Sequence, residues 1–244
     1  MSESRNSIEG VLTTLRDIGW RPGAIIDIGI ATGTPGLYGV WDDVDICLVE
    51  PSRKGLVYME QIAARYPRAR IFNVAASNRT GEIVGGEHMD IPNVSFGKIK
   101  GRLQKTVFPA MTCDDIVAAA GIAPPFVYKL DTDTHEREIL EGSTATLAGA
   151  ELCIMEMRIF HQNRPGMARP DEIWRAMADH GFSFFDLAGS GYAGSGVMRS
   201  ADLVFAREGS GLHALAQANT AKSGDVLERR MKQYQRALTE NTDF

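Results

Sequence analysis

Short apolar runs alternate with amphipathic stretches from residue 24 to residue 207 of this chain. The runs near 24–30, 44–50, 70–75, 126–131, 151–157, 182–187 and 201–206 are rich in Ile, Val, Leu and Phe, the pattern of strands buried on both faces. Helical periods fall between them near 35–40, 53–66, 113–120, 135–147 and 171–180, the last with Ile173, Trp174 and Met177 on its apolar side. Strands alternating with helices predict an α/β fold, a mainly parallel sheet with helices on both faces. The two late runs are joined by a Gly-rich segment at 188–199 without helical period.

Two sections interrupt the alternation. Residues 81–111 hold Gly81, Gly85, Gly86, Gly97 and Gly101 and show no helical period, so they read as a long excursion, a hairpin or a lid over a site. The tail carries Leu227, Met231, Tyr234 and Leu238 on one helical face. The tail is expected to pack on its own domain, with a homodimer through this helix as the sharper alternative. The expected division is a helical lead-in at 1–22, one α/β domain at 23–208 and a helical tail at 209–244.

Composition narrows the function classes. Apolar residues at 44% and charged residues at 23% exclude collagen, coiled coil and disorder, and a net charge of −5 gives no reason to expect nucleic acid. Cys47, Cys113 and Cys153 lack paired spacing and read as reduced thiols, with no zinc site. Met1-Ser-Glu-Ser-Arg5 lacks the apolar stretch of a signal peptide, and no run approaches the ~18 apolar residues of a membrane span. A cytoplasmic protein is expected. Lys98, Lys100, Arg102 and Lys105 form a local basic run, read as a solvated loop or as a lid that attracts an acidic acceptor.

Candidate chemistry begins at Asp27-Ile-Gly29-Ile-Ala31-Thr32-Gly33, where a strand with an acid near its end runs into a loop of small residues. Such a loop lets backbone approach a ligand. A dinucleotide loop wants G-x-G-x-x-G, and Ala31 and Thr34 occupy its second and third glycine positions. Asp27 would repel a pyrophosphate and favour an amino or sulfonium group, which suits S-adenosylmethionine. Glu50 ends the run Ile46–Val49, where a carboxylate accepts two hydrogen bonds from a ribose diol, and Pro51 stops the strand. This acid suits either cofactor class.

The densest chemistry lies at Lys129-Leu-Asp131-Thr-Asp133-Thr-His135-Glu136, between the apolar run 126–128 and the helical 138–140. Polar groups at the carboxyl end of a sheet strand are functional candidates. Asp131 is read near the cofactor, with Asp133, His135 and Glu136 around the acceptor as candidate acid–base groups. Glu156 ends the run 152–155 and, with Arg158 and His161 in the polar stretch that follows, is a candidate for substrate contact; no metal is expected.

Taken in order, these pieces resemble the FkbM family of S-adenosylmethionine-dependent methyltransferases over about residues 25–207. The resemblance rests on Ile26-Asp27-Ile-Gly29 with Gly33, Val49-Glu50-Pro51, Asn73-Val-Ala75-Ala76-Ser77 with Gly81-Glu82, Met111-Thr112-Cys-Asp114-Asp115-Ile116, and Met155-Glu156-Met157. Its most specific piece is close to K-I-D-x-E-G-x-E-x-x-x-L-x-G, matched by Lys129, Asp131, Glu136, Leu140 and Gly142, while Asp133 and Thr134 stand where the family has Glu and Gly. The resemblance implies a class I methyltransferase fold, seven strands with the last antiparallel, and O-methylation of a small molecule, glycan or polyketide hydroxyl. It implies cofactor contacts by Asp27, Gly29, Ala31, Thr32, Gly33, Glu50, Pro51, Ala75, Ala76 and Asp131. A non-catalytic protein retaining the fold is the alternative that Asp133 and Thr134 raise, and an NAD(P)-dependent oxidoreductase is disfavoured by the glycine spacing.

Overall fold

Ser7 starts the first helix, its hydroxyl accepting from the Gly10 amide at 3.0 Å, and α1 (Ile8–Asp17) buries Val11, Leu12 and Leu15. The computed structural model describes residues 6–97, 99–132, 134–159, 167–222 and 230–233. After α1 come β1 (Ala24–Ile28), the four-residue α2 (Pro35–Tyr38), β2 (Asp45–Val49), α3 (Arg53–Arg65) and β3 (Ala69–Phe72). The expected excursion follows as β4 (Ala75–Ala76), β5 (Gly81–His88), β6 (Val94–Ser95) and β7 (Leu103–Met111). The chain then alternates again through α4 (Cys113–Ala120), β8 (Phe126–Leu130), α5 (Glu136–Glu141), α6 (Thr144–Gly149), β9 (Ala150–Arg158) and α7 (Pro170–Asp179). It closes with β10 (Phe182–Tyr192), β11 (Met198–Arg207) and α8 (Gly211–Lys222).

The main sheet has seven strands in the order β10-β11-β9-β8-β1-β2-β3. All neighbours from β3 to β9 are parallel, and β11 is antiparallel to both β9 and β10. This is the class I methyltransferase arrangement expected above. The chain winds outward from β1 to β3 and returns to the other side of β1 with β8, so the switch point lies between β1 and β8, where ligands sit in open α/β sheets. Both faces are covered. Ile26, Tyr128, Met155 and Phe205 pack on one side with α4 and α7, and Ile25, Val127, Ile154 and Val204 on the other with α1 and α2. The three cysteines are free and buried.

Several boundaries differ from the pattern reading, each for a local reason. The third strand stops at Phe72 rather than continuing to 75, because the Asn73 side-chain amide donates to the carbonyls of Glu50 at 2.7 Å and Ser52 at 3.2 Å and turns the chain away. Ala75 and Ala76 instead pair with β7 in a second, four-stranded sheet ordered β4-β7-β5-β6. The excursion is therefore ordered, with Phe108, Ala75 and Ala110 as its own small core. The strands expected to end at 187 and begin at 201 run on to Tyr192 and back from Met198 as one long hairpin. The single helix expected over 135–147 is broken between α5 and α6. Of the tail's apolar face, Leu227, Tyr234 and Leu238 lie outside the described residues, and Met231 is exposed.

The break after α5 has a steric cause. A Cβ on Gly142 would come within 2.1 Å of the Ser77 carbonyl oxygen, so this turn packs directly on the loop leaving β4. Gly142 has φ of −88°, which any residue adopts, so Gly142→Ala tests space alone. The substitution is expected to destabilise the protein by about 2 kcal/mol, as overpacking does. Urea unfolding should show a lowered midpoint with an unchanged slope.

Candidate functional site

The ends of β1, β2 and β8 meet beneath the second sheet and enclose a cavity of about 260 Å³. Its floor is the glycine loop, Gly29 to Thr34; Glu50 and Pro51 form one side, and Asp131 and Thr132 the other. Two glycines make room for these approaches. A Cβ on Gly29 would lie 1.8 Å from the Asp131 carbonyl oxygen, and one on Gly55 would lie 2.4 Å from Cγ of Glu50. Gly29 also has φ of +82°, and Ala31 follows with φ of +48°, a left-handed step without glycine.

Glu50 is buried, and its two carboxylate oxygens accept backbone hydrogen bonds from Ala31 at 3.0 Å and Ser52 at 2.9 Å. Burial raises its pKa, and these two bonds oppose the rise. Each oxygen retains a further lone pair, and Glu50 lines the cavity. The Ser52 hydroxyl that caps α3 also donates to Glu87 of β5 at 2.8 Å, and Lys54 pairs with Glu87 at 3.5 Å. These bonds fasten the second sheet beside the cavity, whose outer wall is Pro92, Asn93, Val94 and Phe96. The sequence reading missed these four residues. The excursion was visible as a candidate lid, but which side chains face inward depends on the β5–β6 register.

Asp27 does not line the cavity. It is fully buried, accepts from the Tyr38 hydroxyl, and pairs with Lys129 Nζ at 3.4 Å. Burial opposes the Lys129 charge, but the carboxylates of Asp27 and Asp131 outweigh it and hold the pKa above that of an ordinary lysine. The ammonium reaches Asp131 at 3.1 Å, so Asp27 acts on the cavity through Lys129. Ala75 and Ala76, expected at the cofactor, are core residues of the second sheet and of the main sheet respectively.

His135 precedes α5 and is also buried. Its Nε2 lies 3.0 Å from the Ser77 hydroxyl, its Nδ1 lies 3.5 Å from Glu138, and its ring lies against Phe96 with 4.6 Å between centroids. Burial pushes its pKa down and keeps it neutral, against the pull of Glu138 and Glu141. It lines neither the main cavity nor the narrow one described next, so this geometry makes it a joint between the β4 loop, α5 and the second sheet. Thr134 takes φ of +80° in the place where glycine was expected, and its hydroxyl lies 3.3 Å from that of Ser95. Its amide donates to Glu136 at 3.1 Å. The left-handed backbone is therefore retained without glycine. Asp133 and His161 lie outside the described residues.

Glu136, Glu156 and Arg158 meet around a narrow cavity of about 10 Å³, closed by Met157, Met167 and Ala168 and sharing Thr132 with the larger one. The β8–β9 register brings Asp131 level with Glu156, and burial and that neighbour push the Glu156 pKa up to about 7. Among the described residues no group of His, Cys, Asp and Glu is arranged to hold a metal ion, and no helix is long and apolar enough to cross a membrane.

Two predictions follow from the buried charges. Asp27→Ala leaves the Lys129 ammonium without one of its two partners and is expected to cost about 3–5 kcal/mol, measured by urea unfolding. Glu156 favours its neutral form when folded, so its contribution is present at low pH and is lost as pH rises through about 7. Glu156→Gln should match the wild-type thermal midpoint near pH 5 and exceed it at pH 8.

No family model matches the sequence, and no curated protein matches it. Among solved structures the chain is similar to the methyltransferase FkbM of Methylobacillus flagellatus, at 16% identity and a TM-score of 0.49 over 80% of this chain and 47% of that one. It thus spans about half the length of that protein. It is also similar to the magnesium protoporphyrin IX methyltransferase of Synechocystis with bound S-adenosylmethionine, at 13% identity and a TM-score of 0.46 over 82% of this chain and 78% of that one. A third is the 1,6-didemethyltoxoflavin-N1-methyltransferase of Burkholderia thailandensis, at 10% identity and a TM-score of 0.45 over 83% of this chain and 79% of that one.

Proposed function

We propose that the cavity binds S-adenosylmethionine and that the protein is a methyltransferase acting on a hydroxyl of a small molecule or glycan. The observation that carries the choice of cofactor is the helix after the glycine loop. In dinucleotide folds a long helix offers its free N-terminal amides to a pyrophosphate. Here α2 has four residues, the Thr34 amide is taken by the Tyr38 hydroxyl at 3.3 Å, and that tyrosine holds the buried carboxylate of Asp27. A pyrophosphate finds no donor array and meets negative charge behind it. A nucleoside bearing a cationic group meets neither obstacle.

The residues present fit that group. Gly29 and Gly55 let Asp131 and Glu50 pack at the edges of the cavity, and the remaining lone pairs of Glu50 suit the ribose diol. Asp131, at the β8 end of the cavity, is the carboxylate for the amino acid end or the sulfonium. When bound, S-adenosylmethionine supplies an electrophilic methyl group. Lys129 orients Asp131, and the wall formed by Pro92, Asn93, Val94 and Phe96 excludes water. An acceptor entering past Thr132 would be flanked by Glu136, Glu156 and Arg158.

Calorimetry tests this reading. S-adenosylmethionine and S-adenosylhomocysteine should bind and NAD should not; the reverse would sink it. Glu50→Gln should weaken S-adenosylhomocysteine by about 10- to 100-fold, the worth of a charge-assisted hydrogen bond pair, and unchanged affinity would remove Glu50 from the site.

A further inference from the structure

Asp202 is absent from every sequence signal considered above, yet the sheet delivers it to the site. The β8–β9 register pairs Leu130 with Met155, which brings Asp131 level with Glu156. The antiparallel β9–β11 register pairs Glu156 with Asp202. Three adjacent strands therefore line up three carboxyl groups. Opposite Asp202 on β10 stands Gly189, where a Cβ would lie 2.6 Å from Asp202 Oδ2, so glycine leaves the room that this carboxylate occupies.

Charge balance in this row is uneven. The charged and titratable groups facing it are Asp27 from β1, Tyr38 from α2, Lys129 and Asp131 from β8 and its end, Glu136 from α5, Glu156 and Arg158 from β9, and Asp202 from β11. Lys129 is committed to Asp27 and Asp131. Burial and the Asp131 charge push Asp202 up as well, with Lys129 opposing. Like-charged carboxyl groups held side by side on neighbouring strands favour a proton on one of them. Asp131 faces the large cavity and Glu156 the narrow one, and the two cavities share Thr132, whose buried hydroxyl has no protein partner. The narrow cavity admits about one water-sized group, the size of a single hydroxyl.

Resting on the methyltransferase reading, we propose that Glu156 is the base that takes the acceptor's proton, with Asp131 beside it, and that Asp202 is a positioning residue acting on Glu156 from the next strand. The acceptor O–H bond breaks as oxygen bonds the methyl carbon, the carbon–sulfur pair returns to sulfur, and the proton passes to the Glu156 carboxylate. Among the described residues the row carries more acids than bases, so it selects a neutral hydroxyl and disfavours a carboxylate or phosphate beside the reacting oxygen.

The test needs no acceptor. In the full-length protein labelled with carboxyl-13C glutamate, Glu156 should titrate near neutrality, and Asp202→Asn should lower its midpoint by about one pH unit. An ordinary carboxylate midpoint, or one indifferent to Asp202→Asn, overturns the pair. Calorimetry at pH 7 in buffers of different ionisation enthalpy then counts protons released by S-adenosylmethionine and by the uncharged S-adenosylhomocysteine. The sulfonium ligand should release more, because its charge favours the Glu156 carboxylate, and the difference should vanish in Glu156→Gln. Equal release by both ligands, or a difference that survives Glu156→Gln, overturns the base assignment. If neither ligand binds, the methyltransferase reading fails and the base role with it, while the titration still reports whether the carboxyl pair exists.

Discussion

Lys129 places an ammonium group inside the sheet, 2% exposed, between the carboxylates of Asp27 and Asp131. Such a charge is tolerated only when its partners are held in place, and here the partners belong to two neighbouring parallel strands. The pair to Asp27 locks β1 to β8 at the switch point. The pair to Asp131 sets the direction of the carboxylate that enters the cavity. Tyr38 completes the arrangement from α2, so the short helix after the glycine loop is tied to the same buried charges. The start of β1's loop, the acid at the end of β8 and the short helix α2 are all tied to this one interior ion cluster.

Around it the site is assembled from parts with different mechanical support. Glu50 and Asp131 stand on the ends of fully buried strands and are held by backbone bonds from Ala31 and Ser52 or by Lys129. The outer wall belongs to a second sheet with a core of few residues, fastened to the main domain by Ser52 to Glu87 on one side and by His135, Ser77 and Phe96 on the other. His135 thereby joins the β4 loop, α5 and the second sheet. A neutral imidazole can bridge a hydroxyl and stack on a ring without the desolvation cost of a charge.

The alternation of apolar runs and helical periods was enough to place the strands of the main sheet and its mostly parallel character, because strands buried on both faces must be apolar along their whole length. Gly29, Gly33, Glu50, Pro51 and Asp131 were legible for a related reason: close backbone approach demands glycine, and a strand-end acid interrupts an apolar run. Thr134 was legible as a departure, and its φ of +80° shows that the backbone demand persisted when the glycine did not.

What remained hidden was whatever depends on which strand lies beside which. Asp27 looks like a ligand acid in the sequence, and only the parallel pairing of β1 with β8 gives it Lys129, as the packing of α2 gives it Tyr38, in place of solvent. Asp202 is one acid in an ordinary apolar strand until antiparallel pairing sets it against Glu156. Phe96, Asn93 and their neighbours lie in a glycine-rich stretch with no period, and the β5–β6 pairing decides which of them close the cavity. Sequence alone determined the elements and the strand-end chemistry, since these follow from local period and local sterics. Tertiary structure decided the partners of each charge, because a carboxylate's role depends on the neighbours that long-range pairing brings within a few ångströms.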